Sequence, residues 1–235
     1  MMPGTLYLIP TPLAEEPIYQ TLSTEQIAIV KELRYFIVED LRTARRFLRK
    51  CDSTFPIDES QFFELNQHTP FNEISAMIAP LLLGNNCGIM SEAGMPCIAD
   101  PGAEIVKLAH SKGIKVAPFP GPSSIFLLLA ASGFSGQSFV FHGYLPVEKK
   151  MRDLKIKELE KAIYHSNQTQ IFIETPYRNH QLFEALISNC QANTLLCIGR
   201  DLTSTAEWIK TYTIADWKKQ SPALSKRPAI FALYK

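Results

Sequence analysis

Short apolar runs alternate with longer amphipathic ones through the first half of the chain, and this rhythm restricts the fold more than any single motif does. Residues 5–9 and 35–38 read as strands, and each leads into a segment whose apolar positions recur at helical spacing, residues 23–33 and 41–49. Such a βαβα order predicts a largely parallel sheet with helices packed on it, an α/β fold. Ser23 and Gln26 have capping-box spacing at the start of the first helix. Thr69-Pro70 opens a further helix expected to run to Leu83, where Gly84-Asn85-Asn86 stops it. Residues 87–91 form an apolar strand, a loop rich in Gly and Pro follows, and Pro101 starts a helix that reaches Lys112 and ends at Gly113.

After a strand at 115–119, Pro120-Gly121-Pro122-Ser123-Ser124 interrupts the pattern before an apolar helix at 125–131. This break divides the chain into an N-terminal domain, residues 1–119, and a C-terminal domain, residues 120–235. Strands resume at 139–145, 170–174 and 195–200, with helices near 148–164 and 180–188. Residues 207–214 and 229–235 read as strands joined by a short polar connection, which predicts an antiparallel pair closing a mixed sheet.

With 235 residues, 46% of them hydrophobic and 20% charged, the chain can build one substantial core or two modest ones. Its apolar runs stop far short of the roughly 20 residues that cross a bilayer. The N-terminus lacks the basic and apolar regions of an export signal, so the cytoplasm is the expected compartment. Five cysteines (Cys51, Cys87, Cys97, Cys190, Cys197) form no C-x-x-C pair and are expected to be buried free thiols. The histidines (His68, His110, His142, His165, His180) show no i, i+4 ligand pairing, and no metal is expected. A formal net charge of +1 argues against a basic footprint covering the surface. A local patch remains at Arg42, Arg45, Arg46, Arg49 and Lys50, which line one helix either as a solvated face or as an anion-binding one.

The loop 91–102 leaves the C-terminal end of a strand, the edge at which open α/β sheets bind ligands. Gly94 allows close backbone approach, Pro96 and Pro101 stiffen the loop, and Met95 and Ile98 offer an apolar wall. A rigid βα connection is the plainer reading. Residues 118–124 make a second stiff loop that feeds a helix N-terminus, so the two suggest a single cleft. Neither matches a phosphate loop or a dinucleotide-binding loop, which disfavours ATP and NAD.

Taken with Gly4-Thr5-Leu6-Tyr7-Leu8-Ile9-Pro10-Thr11-Pro12, Glu39-Asp40-Leu41-Arg42-Thr43, Gly143-Tyr144-Leu145-Pro146, Glu174-Thr175-Pro176-Tyr177-Arg178 and Arg200-Asp201-Leu202-Thr203, these loops resemble the tetrapyrrole methylase superfamily of S-adenosylmethionine-dependent methyltransferases. Within it the likeness is greatest to enzymes that methylate a ribose 2′-hydroxyl of small-subunit ribosomal RNA. The resemblance implies two αβα domains, the first sheet mainly parallel and the second mixed, with the methyl donor in the cleft between them and a homodimer as the assembly. By position it implies donor contacts from Leu13, Gly94, Met95, Ile98, Ser124, Ile125, Thr175 and Ala229. Ribosomal RNA or the small ribosomal subunit is the implied partner, with no membrane. The chain departs from the usual pattern at Leu13-Ala14-Glu15-Glu16, at Glu92 and at Leu41, and lacks the further C-terminal segment usual in the ribosomal enzymes.

Methyl transfer needs alignment and exclusion of water more than covalent catalysis, although a hydroxyl acceptor benefits from a carboxylate that takes its proton. Glu39, Asp40, Glu92 and Glu174 are the candidates; the alternative for each is a helix cap or a partner for Arg42 or Arg178. Arg42, Tyr177 and Arg178 are candidate substrate contacts, and the two guanidinium groups suit a bidentate grip on phosphate or carboxylate. Trp208 and Trp217 are expected in a core or an interface, or stacked on a base. Two alternatives stand beside an RNA methyltransferase: a methyltransferase acting on a small tetrapyrrole or corrinoid ring, and a protein that binds the donor without turnover.

Overall fold

The structure, a computed structural model, describes residues 2–66 and 69–235, so His68 lies outside the described residues. The chain forms two compact units, one running to Ser123 and the other from Ser124 to Lys235.

The first unit holds strands β1 (Thr5–Ile9), β2 (Tyr35–Val38), β3 (Gln61–Glu64), β4 (Cys87–Met90) and β5 (Lys115–Pro118) in the order β3-β2-β4-β1-β5, every pairing parallel. Side chains of a strand alternate between faces, and two cores result. Leu6, Leu8, Ile37, Cys87 and Ile89 pack on one face with α3 (Phe71–Met77), α4 (Ala79–Leu82) and α5 (Gly102–Ser111). Ile9, Phe36, Val38 and Met90 pack on the other with α1 (Thr24–Glu32) and α2 (Leu41–Cys51).

Helix α1 begins with the complete capping box: Ser23 accepts from the Gln26 amide, and the Gln26 side chain accepts from the Ser23 amide. Ser23→Ala leaves that first turn without its acceptor and is expected to lower stability by about 1 kcal/mol in urea denaturation. Helix α2 carries Ala44, Phe47 and Leu48 inward and its cations outward.

The single helix expected from Thr69-Pro70 to Leu83 is instead two. Pro80 has no amide hydrogen to give a preceding carbonyl and its ring crowds the turn before it. The helix accordingly breaks at Ile78, and Pro80 lies in the first turn of α4. Strand β3 is an edge element of four residues with exposed ends, too short to show an alternating pattern.

The second unit begins with α6 (Ser124–Ser132) and continues through β6 (Phe139–Tyr144), α7 (Lys149–Ser166), β7 (Thr169–Glu174), α8 (Asn179–Asn189), β8 (Leu195–Arg200), β9 (Trp208–Thr213), α9 (Ile214–Trp217) and β10 (Ala229–Tyr234). Its sheet order is β6-β7-β10-β8-β9, with β6 and β7 parallel and the remaining pairs antiparallel. Phe172, Leu196, Ile198, Phe231 and Leu233 face α7, α8 and α9. Gly199 and Ile230 face Leu128 of α6.

The last two strands do not pair with each other, contrary to expectation; β8 lies between them. Strand β9 alternates exposed and half-buried residues, which suits an edge, whereas β10 is buried at four consecutive positions, which suits the interior of a sheet. The connection between them also carries Trp217 into the core, where its indole donates to the Leu196 carbonyl at 2.8 Å.

Candidate functional site

Because all strands of the first unit are parallel, the loops leaving β1, β2, β4 and β5 emerge at one edge of the sheet. Thr11 and Gly94 tie two of these loops together through a pair of backbone hydrogen bonds, both 3.0 Å, and the Thr11 hydroxyl donates to the Ser91 carbonyl at 3.2 Å. Gly94 has φ +79°, and a Cβ there would lie 3.0 Å from Leu13 Cδ2 and 3.3 Å from the Pro122 carbonyl oxygen. A Cβ on Gly121 would lie 2.2 Å from Pro10 Cγ and 3.5 Å from Met95 Sδ. Leu13, Gly94, Met95 and the turn 120–123 are therefore gathered at one place.

Ile98 stands further along the same loop, 42% exposed, between Cys97 at φ 68° and Ala99 at φ 64°. Two non-glycine residues in the left-handed region need an external hold. Asp100 provides it, accepting from the Cys97 amide at 2.7 Å through Oδ2 and from the Gly102 amide at 2.8 Å through Oδ1.

The four candidate carboxylates separate by environment. Asp40 caps α2, accepting from the Thr43 amide at 2.7 Å, and the Thr43 hydrogen bonds hold its carboxyl below the usual range. Glu39 accepts from the Glu92 amide at 2.9 Å. Burial pushes its carboxyl up; the hydrogen bond from Glu92 opposes this, and the negative charges of Asp100 and Glu92 add to it. Burial raises Asp100 as well, against the amides it accepts from. Glu92 is exposed. The sheet order explains the grouping: β2 and β4 are neighbours, so the residues that follow them meet. Asp100 was not among the candidates read from the sequence, although an acid directly before Pro101-Gly102 and a helix start is the pattern of a residue that ties a loop to a helix end.

Glu174 belongs to the second unit, where its buried Oε1 accepts from the Thr175 amide at 2.6 Å and from Arg178 Nη2 at 2.6 Å and Nε at 3.0 Å. This pair occupies much of the Arg178 fork. Ala229 lies opposite Glu174 on one side and Arg200 on the other, which puts Thr175 and Ala229 at the same end of that sheet. Arg200 and Arg227 both reach Asp201 Oδ2, at 3.2 and 2.6 Å. Tyr177 is 81% exposed, and Ser124 and Ile125 open α6. Arg42 is exposed in the first turn of α2.

Several of the remaining residues singled out by type have structural partners. His142 bonds Gln170 at 2.7 Å, and burial lowers its pKa. Trp217 is enclosed by Phe183, Trp208 and Tyr212, and Arg200 lies 5.2 Å above Trp208. All five cysteines are free, and burial pushes Cys51, Cys87, Cys97 and Cys190 up to about 12, far from the thiolate form. Among the described residues no cluster of His, Cys, Asp and Glu could hold a metal ion, and no helix is long and apolar enough to cross a membrane.

Two α/β units, one with a wholly parallel sheet whose loops gather at its carboxyl edge and one with a mixed sheet, place the chain among two-domain α/β proteins. Residues 19–217 match the family described as Tetrapyrrole (Corrin/Porphyrin) Methylases, and the chain belongs to that family of S-adenosylmethionine-dependent methyltransferases. It is 31% identical over 213 residues to a protein of Streptococcus pyogenes named ribosomal RNA small subunit methyltransferase I, covering 91% of this chain and 70% of that one. The protein of the same name from Vibrio cholerae is 29% identical over 211 residues, covering 90% and 69%. Among solved structures the methyltransferase CobJ superposes with a TM-score of 0.65 at 13% identity, covering 99% of this chain and 94% of that one. Uroporphyrin-III C-methyltransferase from Thermus thermophilus gives 0.57 at 16%, covering 99% and 92%. At these identities the two structures speak to the fold alone.

Proposed function

We propose that this chain transfers a methyl group from S-adenosylmethionine to a ribose 2′-hydroxyl of small-subunit ribosomal RNA. The observation that carries the reading is the convergence of the loops after β1, β4 and β5 on Gly94, in a chain whose relatives are named for ribosomal RNA methylation. The residues fit a donor of that kind. Leu13, Met95 and Ile98 supply apolar contact, and at Gly94 the main chain is bare of a side chain that Leu13 and Pro122 leave little room for. Ser124, Ile125, Thr175 and Ala229 are proposed donor contacts as well.

When bound, the donor's sulfonium supplies a methyl group that is already electrophilic. The protein's part is then to align the acceptor, exclude water and take one proton from the hydroxyl. Glu39 is the proposed proton acceptor: its raised pKa moves it toward the working pH, whereas Asp40 is committed to a helix cap and Glu174 to Arg178. Asp100 and Glu92 are positioning residues in this scheme, the first through the loop and the second through its amide. A cytoplasmic homodimer belongs to the same reading.

The test is calorimetric titration with S-adenosylmethionine, followed by labelled-methyl transfer to small subunits and total RNA lacking ribose methylation. Micromolar binding and alkali-resistant label in RNA are expected. Label on a corrinoid or porphyrin precursor alone would replace RNA as the substrate, and binding with no transfer to any of these would leave a protein that only senses the donor.

A further inference from the structure

Helix α2 places five cations on its surface, and the structure separates them by partner. Arg45 lies 5.6 Å over the Phe62 ring, and Arg49 donates to the Ser53 carbonyl at 2.6 Å near the helix end. Arg46 and Lys50 have no hydrogen-bond or ion-pair partner among the described residues. They are also four residues apart, in one row with Arg42, so the three cations follow each other at about 6 Å of helix rise.

Arg46 and Lys50 line a surface groove whose opposite contributions are Thr11, Glu15, Ser91 and Glu92. Thr11 and Ser91 belong to the two loops tied at Gly94, so the groove begins at the proposed donor site. Its lining is mixed rather than uniformly basic: cations come from α2, and carboxylates from the loops after β1 and β4. Glu15 is exposed, whereas its neighbour Glu16 is taken up by the Thr21 hydroxyl at 2.7 Å. A ribonucleotide strand matches this arrangement chemically. Its phosphates are anions, and its 2′-hydroxyls and exocyclic amines are donors for carboxylates.

Resting on the methyl-transfer reading for its location, we infer that the Arg46–Lys50 face of α2 is the track for single-stranded RNA leading to the acceptor nucleotide. Arg42, Arg46 and Lys50 contact successive phosphates, and Glu15 with Glu92 receives the ribose and base donors. A single strand is the form whose unstacked bases are free for such contacts, since an A-form duplex hides its major-groove base edges from side chains and, although its shallow minor groove displays 2′-hydroxyls, is bound mostly by shape. The carboxylates also oppose non-specific polyanion binding, consistent with a chain of net charge +1.

The experiment uses the full chain with Arg46→Glu/Lys50→Glu and with the neutral Arg46→Gln/Lys50→Gln. Fluorescence anisotropy follows a labelled single-stranded RNA of mixed sequence, with DNA of the same sequence as control, across a salt series. Wild type is expected to prefer RNA. Loss of two phosphate contacts lowers the slope of log K against log salt by about 1.4, and the charge-reversed pair binds RNA about tenfold or more weakly. Calorimetric binding of S-adenosylmethionine stays at the wild-type value in both variants. An unchanged slope and affinity in the neutral pair, or no RNA binding by wild type, would overturn the inference. Wild type that binds RNA with these slopes yet transfers no methyl group to small subunits or to total RNA lacking ribose methylation would sink the proposed function and leave the RNA-binding face standing.

Discussion

Glu39→Gln is expected to lower methyl transfer to RNA about a hundredfold, the lower end of what a positioned general base contributes, with binding of S-adenosylmethionine unchanged. The amide oxygen of glutamine can still accept from the Glu92 amide, which Glu39 accepts at 2.9 Å, so the loop geometry is kept. What the substitution removes is a group able to take a proton. It also removes a negative charge beside Asp100, whose own carboxyl is held high by burial.

The stability of this variant has a definite sign. The folded pKa of Glu39 is raised above the unfolded one, so between the two the folded protein binds more protons. Its contribution is intact below the ordinary glutamate pKa and is lost as the pH rises through the folded value. Glutamine has no such loss, and the variant should match or exceed wild type in denaturant at neutral pH, with a flatter profile above the usual carboxylate range. A transfer rate that falls together with thermal stability, or one that does not fall at all, would show that Glu39 is not the proton acceptor. An acidic limb in the wild-type pH–rate profile that disappears in the variant is the positive signature.

Much of this arrangement was legible in the sequence because the physics behind it is local. The capping box at Ser23 and Gln26 is a short-range exchange of hydrogen bonds, and the strands of the first unit are apolar on both faces because helices cover both. The stiff loops at 91–102 and 120–123 announce themselves by Gly and Pro. What was not legible depends on which strands become neighbours. Glu39 and Asp100 meet because β2 and β4 are adjacent, a fact set by the sheet order rather than by either segment. The same cause hid the insertion of β10 between β7 and β8, since the short connection after β9 suggested a hairpin that the burial of β10 overrode. Pro80 was a readable signal, and its break at Ile78 follows from the chemistry of proline alone. The division of labour along α2 could not be read from spacing, because all five cations look alike until Phe62 and the Ser53 carbonyl claim two of them.

Gly121→Ala is expected to weaken binding of S-adenosylmethionine by about tenfold or more while lowering stability by about 1–3 kcal/mol, the usual range for forcing an extra carbon into a packed site. The added Cβ would lie 2.2 Å from Pro10 Cγ and 2.3 Å from Pro10 Cβ, distances at which one backbone must yield. A flexible side chain could swing away at small cost, but a pyrrolidine ring cannot, so the displacement passes into the main chain of residues 10–14 or 120–123. Either segment carries it to the site. Residue 11 is bound to Gly94 by two hydrogen bonds, and the Pro122 carbonyl stands against Gly94 itself. Gly136→Ala is the control, because a Cβ there meets only Leu129 Cδ2 at 3.9 Å and its φ is not in the left-handed region; it should keep wild-type donor affinity and gain or lose little stability. Calorimetry on the two variants then separates a damaged fold from a damaged site. If Gly121→Ala loses stability yet binds the donor as wild type does, the convergence at Gly94 is scaffolding and the donor lies elsewhere. If affinity falls in Gly121→Ala alone, the shape of this edge, rather than any single polar group, is what holds the donor in place.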